Sequence, residues 1–96
     1  MRLAELQAKT EQLNEVLLRF GASNLAVFGS VARDQAVFGS DVDLLVDLPD
    51  GCSLLTRSQL KFELEDVLES PVDLIRRRSL KPPLRDRIET EAIQLA

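Results

Sequence analysis

Residues 25–46 read Leu25-Ala26-Val27-Phe28-Gly29-Ser30-Val31-Ala32-Arg33-Asp34-Gln35-Ala36-Val37-Phe38-Gly39-Ser40-Asp41-Val42-Asp43-Leu44-Leu45-Val46. The apolar run 25–28 stops at Gly29-Ser30. A strand that ends in Gly-Ser and opens a helix makes a seat for phosphate. The glycine lets the backbone approach closely, and the helix start aims free N–H groups at the anion. Ten residues later Asp41-Val42-Asp43 runs straight into Leu44-Leu45-Val46. Side chains alternate along a strand, so Asp41 and Asp43 share a face with Cα atoms roughly 6.5–7 Å apart. Two such carboxylates can hold a pair of divalent ions about 3.5–4 Å apart. Gly29 and Ser30 are therefore candidate phosphate-binding residues, and Asp41 and Asp43 candidate metal ligands and catalytic residues. Together they are the apparatus of metal-dependent phosphoryl or nucleotidyl transfer. Arg33, one helical turn after Ser30, can add positive charge at the phosphates.

On either side of this stretch the periodicity predicts a regular alternation of elements. Leu3, Leu6, Leu13, Leu17 and Phe20 recur near helical spacing over residues 2–20, and Gly21 is a natural stop. A strand is expected over 24–28, a short helix over 30–36, a turn over 37–40 that Gly39 permits, and a strand over 41–48. The apolar residues of that second strand are nearly continuous, as in a strand covered on both faces. Pro49-Asp50-Gly51 forms a turn, Ser53 an N-cap, and Leu54, Leu60, Leu64, Val67 and Leu68 the apolar side of a helix that Ser70-Pro71 ends. Residues 72–75 make a third strand, 84–92 a helix that prolines 82 and 83 introduce, and 93–95 a short last strand. This is an α+β fold with α/β character: one domain over residues 1–96, a small mixed sheet with helices packed mainly on one face. Asp73 places a charge in the otherwise apolar third strand, which is costly unless the carboxylate is paired, exposed or bound to metal.

Composition narrows the chemistry. The chain has no His, so the commonest zinc ligand and the commonest general base are both missing. Any metal must be held by oxygen, which favours Mg²⁺, with Mn²⁺ as the alternative. One cysteine, Cys52, excludes an internal disulfide framework and suits a reducing compartment. No apolar run approaches the ~20 residues of a membrane span and no signal-peptide pattern opens the chain, so a cytoplasmic protein is expected. The net charge of −4 disfavours direct nucleic-acid binding. Residues 76–96 nevertheless hold six basic groups against three acidic ones, leaving a net of −7 in the first 75.

The spacing Gly-Ser-x10-Asp-x-Asp resembles the active-site motif of the polymerase-β-like nucleotidyltransferases. At this length the chain is similar to their smallest branch, the minimal nucleotidyltransferases that act as antitoxins of HEPN-domain toxins. Ala32-Arg33 matches the family's usual Gly-Ser-x-Ala-Arg-Gly run, with Asp34 standing where that second Gly is usual. The resemblance implies a polymerase-β-like palm core and a third carboxylate on a later strand, for which Asp73 is the candidate. It implies two Mg²⁺ ions held by Asp41, Asp43 and Asp73, ATP as substrate, and transfer of AMP to a tyrosine hydroxyl of a HEPN toxin in a hetero-oligomer. The chain contains no Tyr, so an acceptor tyrosine must belong to another molecule. Two other readings stay open from sequence: a domain that neutralises its toxin by binding alone, and a transferase acting on nucleic acid or a small molecule.

Overall fold

The apolar run before Gly29 becomes an inner strand of a sheet that has four strands among the described residues, and it is buried on both sides. The computed structural model describes residues 1–35 and 41–96. The turn expected over 37–40, with Gly39, and the last residue of the expected 30–36 helix lie outside them. In chain order the elements are α1 (Leu3–Gln7), α2 (Thr10–Phe20), β1 (Ser23–Phe28), α3 (Gly29–Ala32), β2 (Val42–Asp47), α4 (Leu54–Leu68), β3 (Val72–Arg76), a 3-10 turn (Arg77–Ser79), α5 (Pro82–Glu91) and β4 (Ile93–Gln94).

The sheet order is β3-β2-β1-β4. β1 runs antiparallel to both β2 and β4, while β3 lies parallel to β2 after the α4 crossover. The alternation of side chains divides the apolar residues into two layers. Leu25, Val27, Val42, Leu44, Val46, Val72 and Leu74 pack with Leu6, Leu13, Leu17, Leu60, Leu64 and Leu68 from α1, α2 and α4. On the other face Ala26, Phe28 and Leu45 are met by Ile75, Leu80, Ile88 and Ala92, the last two at the end of α5. β1 and β2 are thus covered from both sides. The second cover is thin, and it leaves one end of the sheet accessible beside Gly29.

Several local expectations change. The helix expected over 2–20 is two helices, because Lys9 leaves helical geometry at φ −100°, ψ 13°. Its ammonium instead donates to the Val67 carbonyl at 2.8 Å, a tertiary contact that no local propensity signals. Leu54, expected on the apolar side of α4, is 78% exposed. It sits in the first turn, beyond the reach of the sheet. Glu65, a charged residue of α4, accepts a hydrogen bond from Val72 N–H at 2.9 Å and so fixes the start of β3. Ser53 does cap α4, accepting from Thr56 N–H at 3.1 Å.

The basic run after β3 is largely engaged within the fold. Burial pushes the Asp47 carboxyl up, but hydrogen bonds from Asn24 and Arg77 outweigh it and hold the group below its ordinary value. Arg77 also reaches Glu89 at 3.0 Å and the Asn24 carbonyl at 3.0 Å, tying α5 to the sheet. Arg78 pairs with Asp50 in the turn before α4. No helix among the described residues is long and apolar enough to cross a membrane.

Candidate active site

Asp43 is the centre of the site, and three separate features of the fold converge on it. The first is the parallel ladder, whose register sets Asp43 beside Asp73. Neighbours in register lie about 4.8 Å apart and point to the same face. That face is the one α5 covers only in part. Asp41 lies two residues before Asp43, ahead of the first ladder residue Val42. The Asp43 carboxyl is pushed above its ordinary value, first by burial, then by the charges of Asp73 and Asp41, while Arg33 pulls the other way and Glu91 pushes it further up. Among the described residues no three acidic side chains form a ready-made chelate. Like charges in one place repel, so the backbone supplies the frame and the carboxylate ends are not drawn together. An all-oxygen donor set carrying this much unneutralised negative charge fits a hard divalent cation.

The second feature is Gly29. Phe28 pairs with Asp43 across the antiparallel ladder, so the chain turns out of β1 directly over the carboxylate. Gly29 has φ +71°, and a Cβ built there would stand 2.2 Å from Asp43 Oδ2. The glycine thus serves twice: its backbone conformation is one glycine favours, and its missing side chain leaves the Asp43 carboxylate where it stands. Its expected role as a phosphate seat is joined by a steric one that sequence reasoning did not supply.

The third feature is a helix end. α3 is a single turn, and Ser30 and Arg33 fall at its start and its C-cap. Gln35 N–H bonds the Ser30 carbonyl at 2.8 Å, closing the turn. Glu91, the last residue of α5, accepts from Gly29 N–H at 2.9 Å and from Arg33 Nη1 at 2.6 Å. Glu91 was not legible as a site residue, for it lies in a charged helical stretch without motif. Between α3 and α5 opens a cleft of about 620 Å³ lined by Phe28, Gly29, Arg33, Leu84, Arg87, Ile88 and Glu91, among others. Such a volume suits a nucleotide-sized ligand. Asp73 also borders a second cleft, about 250 Å³, with Arg57 and Lys61 of α4.

Asp34, which stands where the family run has Gly, adopts φ +56°. The backbone has kept the left-handed conformation that glycine favours, and Asp is among the residues that tolerate it. Asp34→Gly is expected to raise stability slightly, by about 0.5–1 kcal/mol, readable as a melting shift of a few degrees. A lower melting temperature would mean that the carboxylate holds the turn.

A mixed sheet carrying paired aspartates beside a glycine–serine turn defines a nucleotidyl-transfer fold. The chain belongs to the nucleotidyltransferase domain family, whose profile matches residues 9–95. It is 39% identical over 95 residues to a candidate protein adenylyltransferase of Methanocaldococcus jannaschii, covering 99% of each chain. It is 39% identical over 88 residues to the protein adenylyltransferase MntA of Thermococcus cleftensis, covering 92% of this chain and 86% of that one. Among solved structures, a candidate minimal nucleotidyltransferase superposes with a TM-score of 0.84 at 43% identity, covering 97% of this chain and 95% of the other. A chain in the structure of a tri-AMPylated Shewanella oneidensis HEPN toxin in complex with MNT antitoxin gives a TM-score of 0.70 at 25% identity, covering 95% and 71%.

Proposed function

We propose that this protein transfers AMP from ATP to a tyrosine hydroxyl of a HEPN-domain toxin, silencing it in the cytoplasm as an antitoxin within a hetero-oligomer. The observation that carries the reading is the register pairing of Asp43 with Asp73 next to the Gly29 N–H, which puts carboxylates and an anion donor on one accessible face. The kinship with adenylyltransferases and with an MNT–HEPN complex supports the acceptor class. The missing Tyr agrees with an acceptor on a second molecule.

Asp41, Asp43 and Asp73 would hold Mg²⁺, or Mn²⁺ in its place. When bound, the metal would lower the barrier by neutralising charge on the phosphates and acidifying the acceptor hydroxyl. Gly29 N–H, the Ser30 hydroxyl and Arg33 would bind the β- and γ-phosphates, with Phe28, Leu84 and Ile88 as the apolar wall of the cleft. The acceptor oxygen forms a bond to the α-phosphorus as the α–β phosphoanhydride bond breaks. Pyrophosphate leaves, and the phenolic proton passes to Asp73 or to solvent.

The test is incubation with α-labelled ATP, Mg²⁺ and the product of the adjacent gene. Label is expected on that protein, with none when Mg²⁺ is withheld. Unlabelled partner that is nonetheless neutralised would replace the transferase reading with a binding one.

A further inference from the structure

One oxygen of Glu91 collects two donors, the Gly29 N–H at 2.9 Å and the Arg33 guanidinium at 2.6 Å. A backbone N–H beside an arginine is the pairing that receives a phosphate oxygen. Ordinary helix preferences do not account for it. Glu91 ends α5, where a negative charge meets the negative pole of the helix. Nor does stability, since Arg33 is 49% and Glu91 35% exposed, and an ion pair so exposed contributes little. The charge is also added next to an acidic cluster that already repels itself. What the contact does achieve is to fill an anion seat at the mouth of the 620 Å³ cleft that Gly29, Arg33 and Glu91 all line.

We infer that Glu91 is a built-in plug of the phosphate seat: it holds the Gly29 N–H and the Arg33 guanidinium until a polyphosphate takes them over. The inference deepens the nucleotide reading above and rests on it. Both donors are satisfied in both states, so opening leaves no bare N–H behind. A ligand must bring enough negative charge to displace a carboxylate, so the plug favours a triphosphate over a nucleoside or a monophosphate. It can close again once pyrophosphate has left. Its cost is affinity, because the observed dissociation constant is the intrinsic one divided by the open fraction.

Calorimetric titration of the intact chain tests this, with Mg·ATP and inorganic tripolyphosphate as probes. Glu91→Gln keeps size and removes the charge. With an open fraction of about one in ten, it binds both probes about tenfold more tightly. Glu91→Asp keeps the charge but is one methylene too short to reach both donors, and it also binds more tightly. An Asp variant that binds like the wild type overturns the plug, since a general electrostatic effect would then explain the Gln result. Unchanged or weaker binding by both variants, each melting near the wild type, overturns it outright. If the wild type binds Mg·ATP and neither variant gains, the plug falls and the nucleotide reading stands. If ATP binds to none of the proteins but tripolyphosphate binds more tightly to both variants, the plug stands and the nucleotide reading falls. If no probe binds any of them, both fall.

Discussion

Asp43→Asn is expected to abolish AMP transfer, by about 10³-fold or more, and at the same time to stabilise the fold at neutral pH. The first effect follows from removing the central carboxylate of the proposed metal site, a change worth several kcal/mol at the transition state. The second follows from the direction of its titration. The Asp43 carboxyl is raised above 3.8 by burial and by its acidic neighbours. The folded protein therefore holds that proton more tightly than the unfolded chain does. Its contribution is complete below pH 3.8 and is lost as pH rises through the elevated folded value. Above that range the ionised group destabilises, and Asn removes the charge. Melting curves taken between about pH 4 and pH 7 should show the variant gaining on the wild type as pH rises. An Asn variant that transfers AMP normally would displace Asp43 from the reaction. One that melts below the wild type at neutral pH would mean that the carboxylate is held by a partner stronger than Arg33.

Gly29→Ala should come next in size, and it acts through Asp43. The new methyl would stand 2.2 Å from Asp43 Oδ2 and 3.2 Å from its Cγ, so the carboxylate has to leave its place. A misplacement of about 1 Å in a catalytic group can cost 10²-fold, so transfer should fall about 10²–10³-fold. The left-handed backbone adds about 1–2 kcal/mol of strain, or roughly 4–16 °C in melting temperature. Gly51→Ala is the control: it also has positive φ, at +80°, but a Cβ there meets nothing within 4 Å. It should lose stability without losing transfer. Equal activity losses in the two variants would show that backbone strain, and not the clash, is responsible.

The elements legible in the sequence were those with a local cause. The stop at Gly29, the Ser53 cap and the Pro49–Gly51 turn each depend on a few consecutive residues. The break at Lys9, the exposure of Leu54 and the use of Glu65 to start β3 depend on where a distant element lies. No window of sequence contains that information. The same division runs through the site. Arg33 was readable as charge one turn after Ser30, but its ion pair with Glu91 joins residues 58 apart.

From sequence alone came the order strand, Gly-Ser, Asp-x-Asp, strand, and with it the chemistry the chain is equipped for. Alternation and backbone freedom are properties of one segment, and they operate before anything packs. The tertiary structure decided that Asp73 stands beside Asp43, that a side chain at Gly29 would displace the Asp43 carboxylate, and that Glu91 accepts from both the Gly29 N–H and Arg33. Those contacts are set by ladder register and by the path of α4 and α5 over the sheet, which only the whole packed core fixes.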